Sequence, residues 1–138
     1  MELAEWTIGL DRFSLVFDEL KKEINNWNNK SFIHIPMDIR FLYKDNSWLS
    51  YAYQKDTVTM GCVSRNAATA DTYEAFKTIE TIFLKYGGKP HWGKRFTAKD
   101  AVLRNIYSKW DDFKKLRQSM DPTNKFLNPY LSKLFNEN

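Results

Sequence analysis

The apolar residues of this 138-residue chain change their period twice within its first third, and that change limits the fold more than any other feature. Met1 to Ile8 alternates loosely and carries Trp6, Thr7 and Ile8, as a strand does. From Asp11 the step lengthens: Phe13, Val16, Phe17, Leu20, Ile24 and Trp27 recur every three or four residues between charged positions. That spacing predicts an amphipathic helix over 11–27, ended by the Asn-rich stretch Asn25 to Asn29. Period two then returns from Phe32 to Tyr43. Ile33, Ile35, Met37, Ile39, Phe41 and Tyr43 fall on one side, and His34, Pro36, Asp38, Arg40 and Leu42 on the other. Pro36 has no N–H for a ladder, so this strand belongs at a sheet edge or carries a bulge there.

The rest of the chain continues in the same mixed manner. Lys44 to Ser47 reads as a turn, with two shorter strands expected over 48–53 and 57–63 and a polar loop over 66–71. Thr72 opens a second helix with the stripe Phe76, Ile79, Phe83 and Tyr86, stopped by Gly87-Gly88. The stripe Phe13, Phe17, Leu20 and Ile24 is expected to face Ile79, Phe83 or the sheet between them. Beyond Lys89 to Phe96, Thr97 is expected to cap a short helix, and another helix is expected over 110–118. In the tail, Phe126, Leu127, Tyr130, Leu131, Leu134 and Phe135 recur at helical spacing. The predicted class is α+β: an antiparallel sheet with helices packed on one side, followed by a helical C-terminal tail. The length is that of a single domain, with sheet and helices over about 1–96 and the tail over 97–138.

Composition excludes several classes. A 43% hydrophobic chain with 16% aromatics can bury a real core, which excludes wholesale disorder. A single cysteine, Cys62, excludes an intramolecular disulfide, and its apolar neighbours Val58, Met60 and Val63 predict a buried thiol. With two histidines in addition there is little for a structural zinc site, so no metal is expected. No apolar run reaches the roughly 18 residues of a membrane span. The first ten residues carry Glu2 and Glu5 but no basic residue, unlike a signal peptide, so a soluble chain is expected. Charge is uneven: residues 1–71 sum to −2 and residues 72–138 to +6. A basic half suits an anionic cofactor, an anionic partner or nucleic acid, and equally serves solubility alone.

Three segments hold the polar chemistry. Asp38 and Arg40 are two apart on a predicted strand and so share a face, either as a functional pair or as a solvated ion pair. Gly87 to Phe96 packs three basic residues, His91, Trp92 and three glycines into ten positions. Its glycines allow close backbone approach and its lysines can offset negative charge, unless it is simply a basic turn with Trp92 packed inward. Asp121 to Leu131 opens on a turn in which Asn124 tolerates the left-handed region. No phosphate loop or nucleophile elbow occurs.

In this order the segments resemble the C-terminal portion of the sugar-1,4-lactone oxidases, the L-gulonolactone and D-arabinono-1,4-lactone oxidases of the vanillyl-alcohol-oxidase type. Glu2 to Trp6 is similar to the opening strand of that region. Pro36-Met37-Asp38-Ile39-Arg40-Phe41 resembles a Pro-x-Glu-x-Arg strand, and Trp48-Leu49-Ser50 a further short signature. Gly87-Gly88-Lys89-Pro90-His91-Trp92-Gly93-Lys94 resembles Gly-Gly-Arg/Lys-Pro-His-Trp-x-Lys. Arg117, Asp121-Pro122-Thr123, Phe126-Leu127-Asn128 and Tyr130-Leu131 resemble the C-terminal signature. Two departures stand out: Asp38 where the family has glutamate, and Asn124 where it has glycine.

The resemblance implies oxidation of a sugar lactone, a hydride passing to FAD and oxygen being reduced to hydrogen peroxide, as in ascorbate biosynthesis. It implies that Arg40 polarises a substrate oxygen, Asp38 orients Arg40 or accepts a substrate hydroxyl, and Lys94 offsets negative charge. His91, Trp92 and Asn128 would face substrate or flavin. Nothing in the chain resembles the FAD-binding domain of the family, so a separate flavin domain or chain is the expected partner. Tight FAD binding by this chain alone is not expected. Family members are cytoplasmic or associated with endoplasmic reticulum or mitochondrial membranes. An apolar face left for that partner would expose tail residues or support self-association. A different class, a non-catalytic module or decayed remnant, would bind single-stranded nucleic acid through Trp92, Phe96, Tyr107 and Trp110 interleaved with Lys and Arg. The basic residues already have a place in the lactone-oxidase motif, so no nucleic acid is expected.

Overall fold

The computed structural model describes residues 2–27, 35–64 and 70–135. Residues 66–69 of the loop expected over 66–71 and the first residues of the expected second strand, 32–34, lie outside them, while residues 70 and 71 already belong to a helix. Four strands form one sheet in the order β2-β3-β1-β4, with β1 Glu2–Gly9, β2 Ile35–Leu42, β3 Thr57–Ser64 and β4 Lys89–Pro90. Every neighbouring pair is antiparallel. Helices α1 Phe13–Asn26 and α2 Ala70–Lys85 follow β1 and β3.

The sheet has one apolar and one polar face because its strands alternate strictly about β1. Ala4, Trp6 and Ile8 pair with Cys62, Met60 and Val58, and all six are buried. Val16 and Leu20 of α1 and Phe76, Ile79 and Phe83 of α2 cover that face, with Trp6 stacked on Phe83 at 5.9 Å between ring centroids. Both helices therefore lie on the same side, as the periodicity predicts. The buried line of α1 runs through Val16 and Leu20, with Phe13 beside them, while Phe17 packs on Phe13 and is 36% exposed. The opposite face carries Glu5, Thr7, Thr59 and Gly61, flanked on the edge strand β2 by Asp38 and Arg40.

Pro36 has the consequence expected of it. Ile35 pairs with Val63 and Asp38 with Gly61, three residues against two, so a bulge interrupts β2 at the edge of the sheet. The expected alternation is therefore broken between Ile35 and Asp38. The end of α2 is equally chemical: Gly87 takes φ +75°, its N–H donates to Leu84 O, and Gly88 N–H donates to Phe83 O at 2.8 Å. This is the paired C-terminal bonding that a left-handed residue allows.

A second core lies among α3 Asp100–Ile106, α4 Trp110–Met120 and α5 Pro129–Leu134. Leu103, Tyr107, Trp110, Leu134 and Phe135 are buried there, and Trp92 stacks on Tyr107 at 5.3 Å and on Trp110 at 6.1 Å. Phe96 packs against both cores. Glu80 of α2 adds a polar link: it is buried, and its carboxylate accepts the Thr97 N–H at 2.9 Å and the Thr97 hydroxyl at 3.0 Å.

Three local expectations are corrected. Residues 48–53 form turns, because Asp45 accepts from Ser47 N–H and the Ser50 hydroxyl and so bends the chain back on itself. Thr97 caps no helix, since Glu80 holds it; Lys99 stands at the start of α3 without a side-chain cap. Among the described residues the apolar segment from Phe126 to Phe135 is helical only over Pro129–Leu134, where Pro129 sets the first turn and Asn128 accepts from Leu131 N–H at 2.8 Å. No helix among the described residues is long and apolar enough to cross a membrane.

Candidate functional site

The polar face of the sheet gathers its charges around Gly61. Asp38, Gly61 and Glu5 are register neighbours on β2, β3 and β1, so roughly 10 Å separates the outer two backbones. Arg40 closes that gap. Its guanidinium pairs with Asp38 on its own strand and with Glu5 on β1, Nη1 to Oε1 3.5 Å. The path is open because residue 61 lacks a side chain. A Cβ there would lie 3.9 Å from Asp38 Cβ and 4.0 Å from Glu5 Cγ, room for a methyl group and little more.

The three charges differ in exposure. The Arg40 and Asp38 side chains are 60% and 55% exposed, whereas that of Glu5 is only 11% exposed. Solvated pairs of this kind add little stability. Their value lies in geometry, since two carboxylates on two strands hold one guanidinium facing solvent. Sequence reasoning placed Glu5 in the opening strand without a role. The signal was there in part, because an acidic residue between Ala4 and Trp6 must point away from the core.

The glycine-rich basic segment runs along the other edge of β1. His91 N–H donates to Glu5 O at 2.9 Å and Arg95 N–H to Leu3 O at 2.9 Å, and between them Lys94 N–H closes a turn on His91 O. Glu5 thus touches both predicted groups, through its carboxylate and through its carbonyl. His91 Nδ1 accepts from Gly93 N–H at 3.0 Å, which puts the proton of the neutral ring on Nε2. Lys94, Arg95 and Trp92 line an open cavity of about 550 Å³ with Glu2, Leu3 and Tyr130. Arg40 is not part of that lining.

Two of the residues expected to face substrate or flavin also have structural roles. The Trp92 ring belongs to the aromatic stack of the second core, and its indole N–H donates to Leu49 O at 3.1 Å. Asn128 caps α5. The Asp121 signature is likewise architectural: its carboxylate accepts Lys125 N–H at 2.8 Å and Phe126 N–H at 2.9 Å, and Asn124 takes φ 56°. Cys62 is buried, and burial pushes its thiol up to about 12, so it is no nucleophile. No cluster of metal-ligating side chains occurs among the described residues.

An exposed arginine held by two carboxylates thus lies on the sheet face turned away from α1 and α2, bordered by a basic glycine-rich edge. The sequence profile of the D-arabinono-1,4-lactone oxidase family matches residues 2–134, and the chain belongs to that family. It is 39% identical over 98 residues to L-gulono-1,4-lactone dehydrogenase of Mycobacterium tuberculosis, covering 71% of this chain and 22% of that protein. Against L-gulonolactone oxidase of Bos taurus it is 31% identical over 135 residues, 96% of this chain and 30% of the other. Against alditol oxidase of a Streptomyces strain it is 31% identical over 97 residues, 70% and 23% respectively. The chain therefore spans less than a third of the length of these relatives.

Proposed function

We propose that this chain is the substrate-binding portion of an FAD-dependent aldonolactone oxidase, acting with a flavin domain. The observation that carries this reading is the Arg40 guanidinium, held on the open sheet face by Asp38 and Glu5. Oxidising a carbon that bears a hydroxyl removes a hydride from carbon and a proton from oxygen. Arg40 lowers the barrier by stabilising the negative charge that grows on that oxygen. Asp38 acts through Arg40, since its carboxylate is already engaged by the guanidinium; this accommodates an aspartate where the family has a glutamate. Lys94 supplies a cation beside the open cavity, suited to a cofactor ring that gains negative charge. A bound FAD would supply the acceptor for the hydride and, with oxygen, the route to hydrogen peroxide, the proton released from the hydroxyl making up its second hydrogen. The described residues offer cations for the ring end of such a cofactor and no glycine-rich cradle for its pyrophosphate. The sheet-and-helix part over about 1–96 bears the site, and the tail over 97–138 supports the Trp92 segment.

The test is a chimera in which this chain replaces the matching C-terminal part of the bovine L-gulonolactone oxidase, with FAD content measured before assay. The expected result is lactone-dependent hydrogen peroxide that falls at least about 100-fold in Arg40→Met, the scale of a lost oxyanion donor. A folded, FAD-loaded chimera that makes no peroxide, or one indifferent to Arg40→Met, would overturn the reading.

A further inference from the structure

A second polar crevice lies at the opposite end of β1 from Lys94, where the turn over 51–55 meets the start of β4. It encloses about 310 Å³ and is lined by the cations Arg12, Lys55 and Lys89, by Tyr51, and by Thr7 and Thr57. None of the Asp38, Arg40, His91 and Lys94 group lines it, although Tyr51 lies 6.1 Å from the His91 ring between centroids.

Three observations make it a built site. The Thr7 and Thr57 side chains are buried, at 2% and 4% exposure, yet neither hydroxyl has a hydrogen-bond partner among the described residues. Buried hydroxyls without partners cost stability, so their retention needs a reason. Lys89 is half-buried with one long polar contact, Nζ to Tyr51 O at 3.5 Å, and its ammonium sits 5.2 Å from the Tyr107 ring centroid. Burial holds its pKa below the ordinary lysine value, which an adjacent anion would reverse. Third, Gly9 lets a cation lie across the floor: a Cβ at residue 9 would come within 2.5 Å of Lys55 Cε. Opposing charge comes from Asp11, paired with Lys55 at 2.8 Å, and from Asp45, which acts on Lys89. Three cations against two carboxylates leave one net positive charge.

We propose that this crevice binds a small oxyanion, a carboxylate or phosphate group, with Lys89 as the central cation and the Thr7 and Thr57 hydroxyls as donors. A cavity of this size takes one such group with a few carbons attached. The two hydroxyls gain the acceptor that the protein denies them, and Lys89 gains a counter-charge.

The experiment titrates the chain with inorganic phosphate and, separately, with D-gluconate, at ionic strength held constant with sodium chloride. Amide shifts and melting temperature are followed. Saturable shifts at Thr7, Thr57 and Lys89 are expected with at least one of the two anions, and which one identifies the source. Lys89→Gln should weaken binding at least about tenfold, whereas Lys77→Gln, an equal loss of charge on exposed α2, should leave it unchanged. Thr7→Val guards against a folding defect. It should raise the melting temperature without anion, by removing the unpartnered hydroxyl, and reduce the rise that anion produces. No saturable shift with either anion, equal binding by Lys89→Gln and the parent chain, or a Thr7→Val chain destabilised without anion would overturn the proposal.

Discussion

Replacing Glu80 by alanine removes the polar link between the sheet-and-helix core and the segment that leads to the second core. Glu80 accepts the Thr97 N–H at 2.9 and 3.2 Å with its two oxygens and the Thr97 hydroxyl at 3.0 Å. Hydrogen bonds to a charged group contribute about 1.5–3 kcal/mol each. Thr97 is itself exposed, so water recovers part of what its two donors lose, and the net cost falls to about 2–3 kcal/mol. Glu80→Gln keeps one acceptor oxygen and should cost about 1 kcal/mol. Urea denaturation at pH 7 measures both, with an unchanged slope showing that the compactness of the end states is the same. A double-mutant cycle with Thr97→Ala should return a coupling of at least about 1 kcal/mol. If Glu80→Ala costs under about 0.5 kcal/mol, the link has no energetic content; if the two changes are additive, the Thr97 hydroxyl contributes nothing to it.

Other outcomes follow from single contacts. Gly87→Ala should cost about 1–2 kcal/mol, since φ +75° is penalised for any L side chain, and Gly88→Ala about 1–3 kcal/mol, since its Cβ would meet Phe83 O at 2.8 Å; thermal unfolding measures each. Cys62 should resist a thiol reagent at pH 8 in the folded chain and react fully in urea, because burial pushes its thiol up to about 12. Glu19 accepts from Lys85 at 2.8 Å and from the Tyr86 hydroxyl at 2.7 Å, and these contacts hold its carboxyl below the ordinary 4.5. A carboxyl lowered in the folded state contributes stability that is present above its unfolded value and lost as pH falls through the folded one. Glu19→Gln should therefore flatten the loss of stability below about pH 4.5 while leaving the slope near pH 7 unchanged.

Much of the fold was legible because its periods are clean. The helices and the central strands follow from residue spacing, and Pro36 announced an edge position or a bulge for β2, which has both. What escaped reading was decided by side chains reaching outside their own segment. Trp48 to Tyr53 alternates like a strand, but the Asp45 and Ser50 side chains offer the backbone a competing set of local bonds. Thr97 has the chemistry of a cap, and a buried carboxylate 17 residues away claimed it. At the site, Asp38 with Arg40 was visible as a same-face pair, whereas Glu5 became visible only once β1 and β3 were set in register. The signature residues Trp92 and Asn128 also serve an aromatic stack and a helix cap, roles that spacing in the sequence does not reveal. The tail's apolar residues divide: Leu134 and Phe135 close the second core, and Phe126 and Tyr130 remain exposed.

The central claim is that the open sheet face around Gly61 receives the lactone, oriented by a clamped Arg40. The most direct measurement is a lactone titration of the isotope-labelled chain, read at the amides of Glu5, Asp38, Arg40 and Gly61 and repeated with Gly61→Val. Valine there would fill the space between Asp38 and Glu5 and cut Arg40 off from the second carboxylate. The account predicts saturable shifts at those four amides, weakened at least about tenfold in Gly61→Val while the folded spectrum is kept. Shifts confined to other parts of the chain, or lactone binding untouched by Gly61→Val, would contradict it.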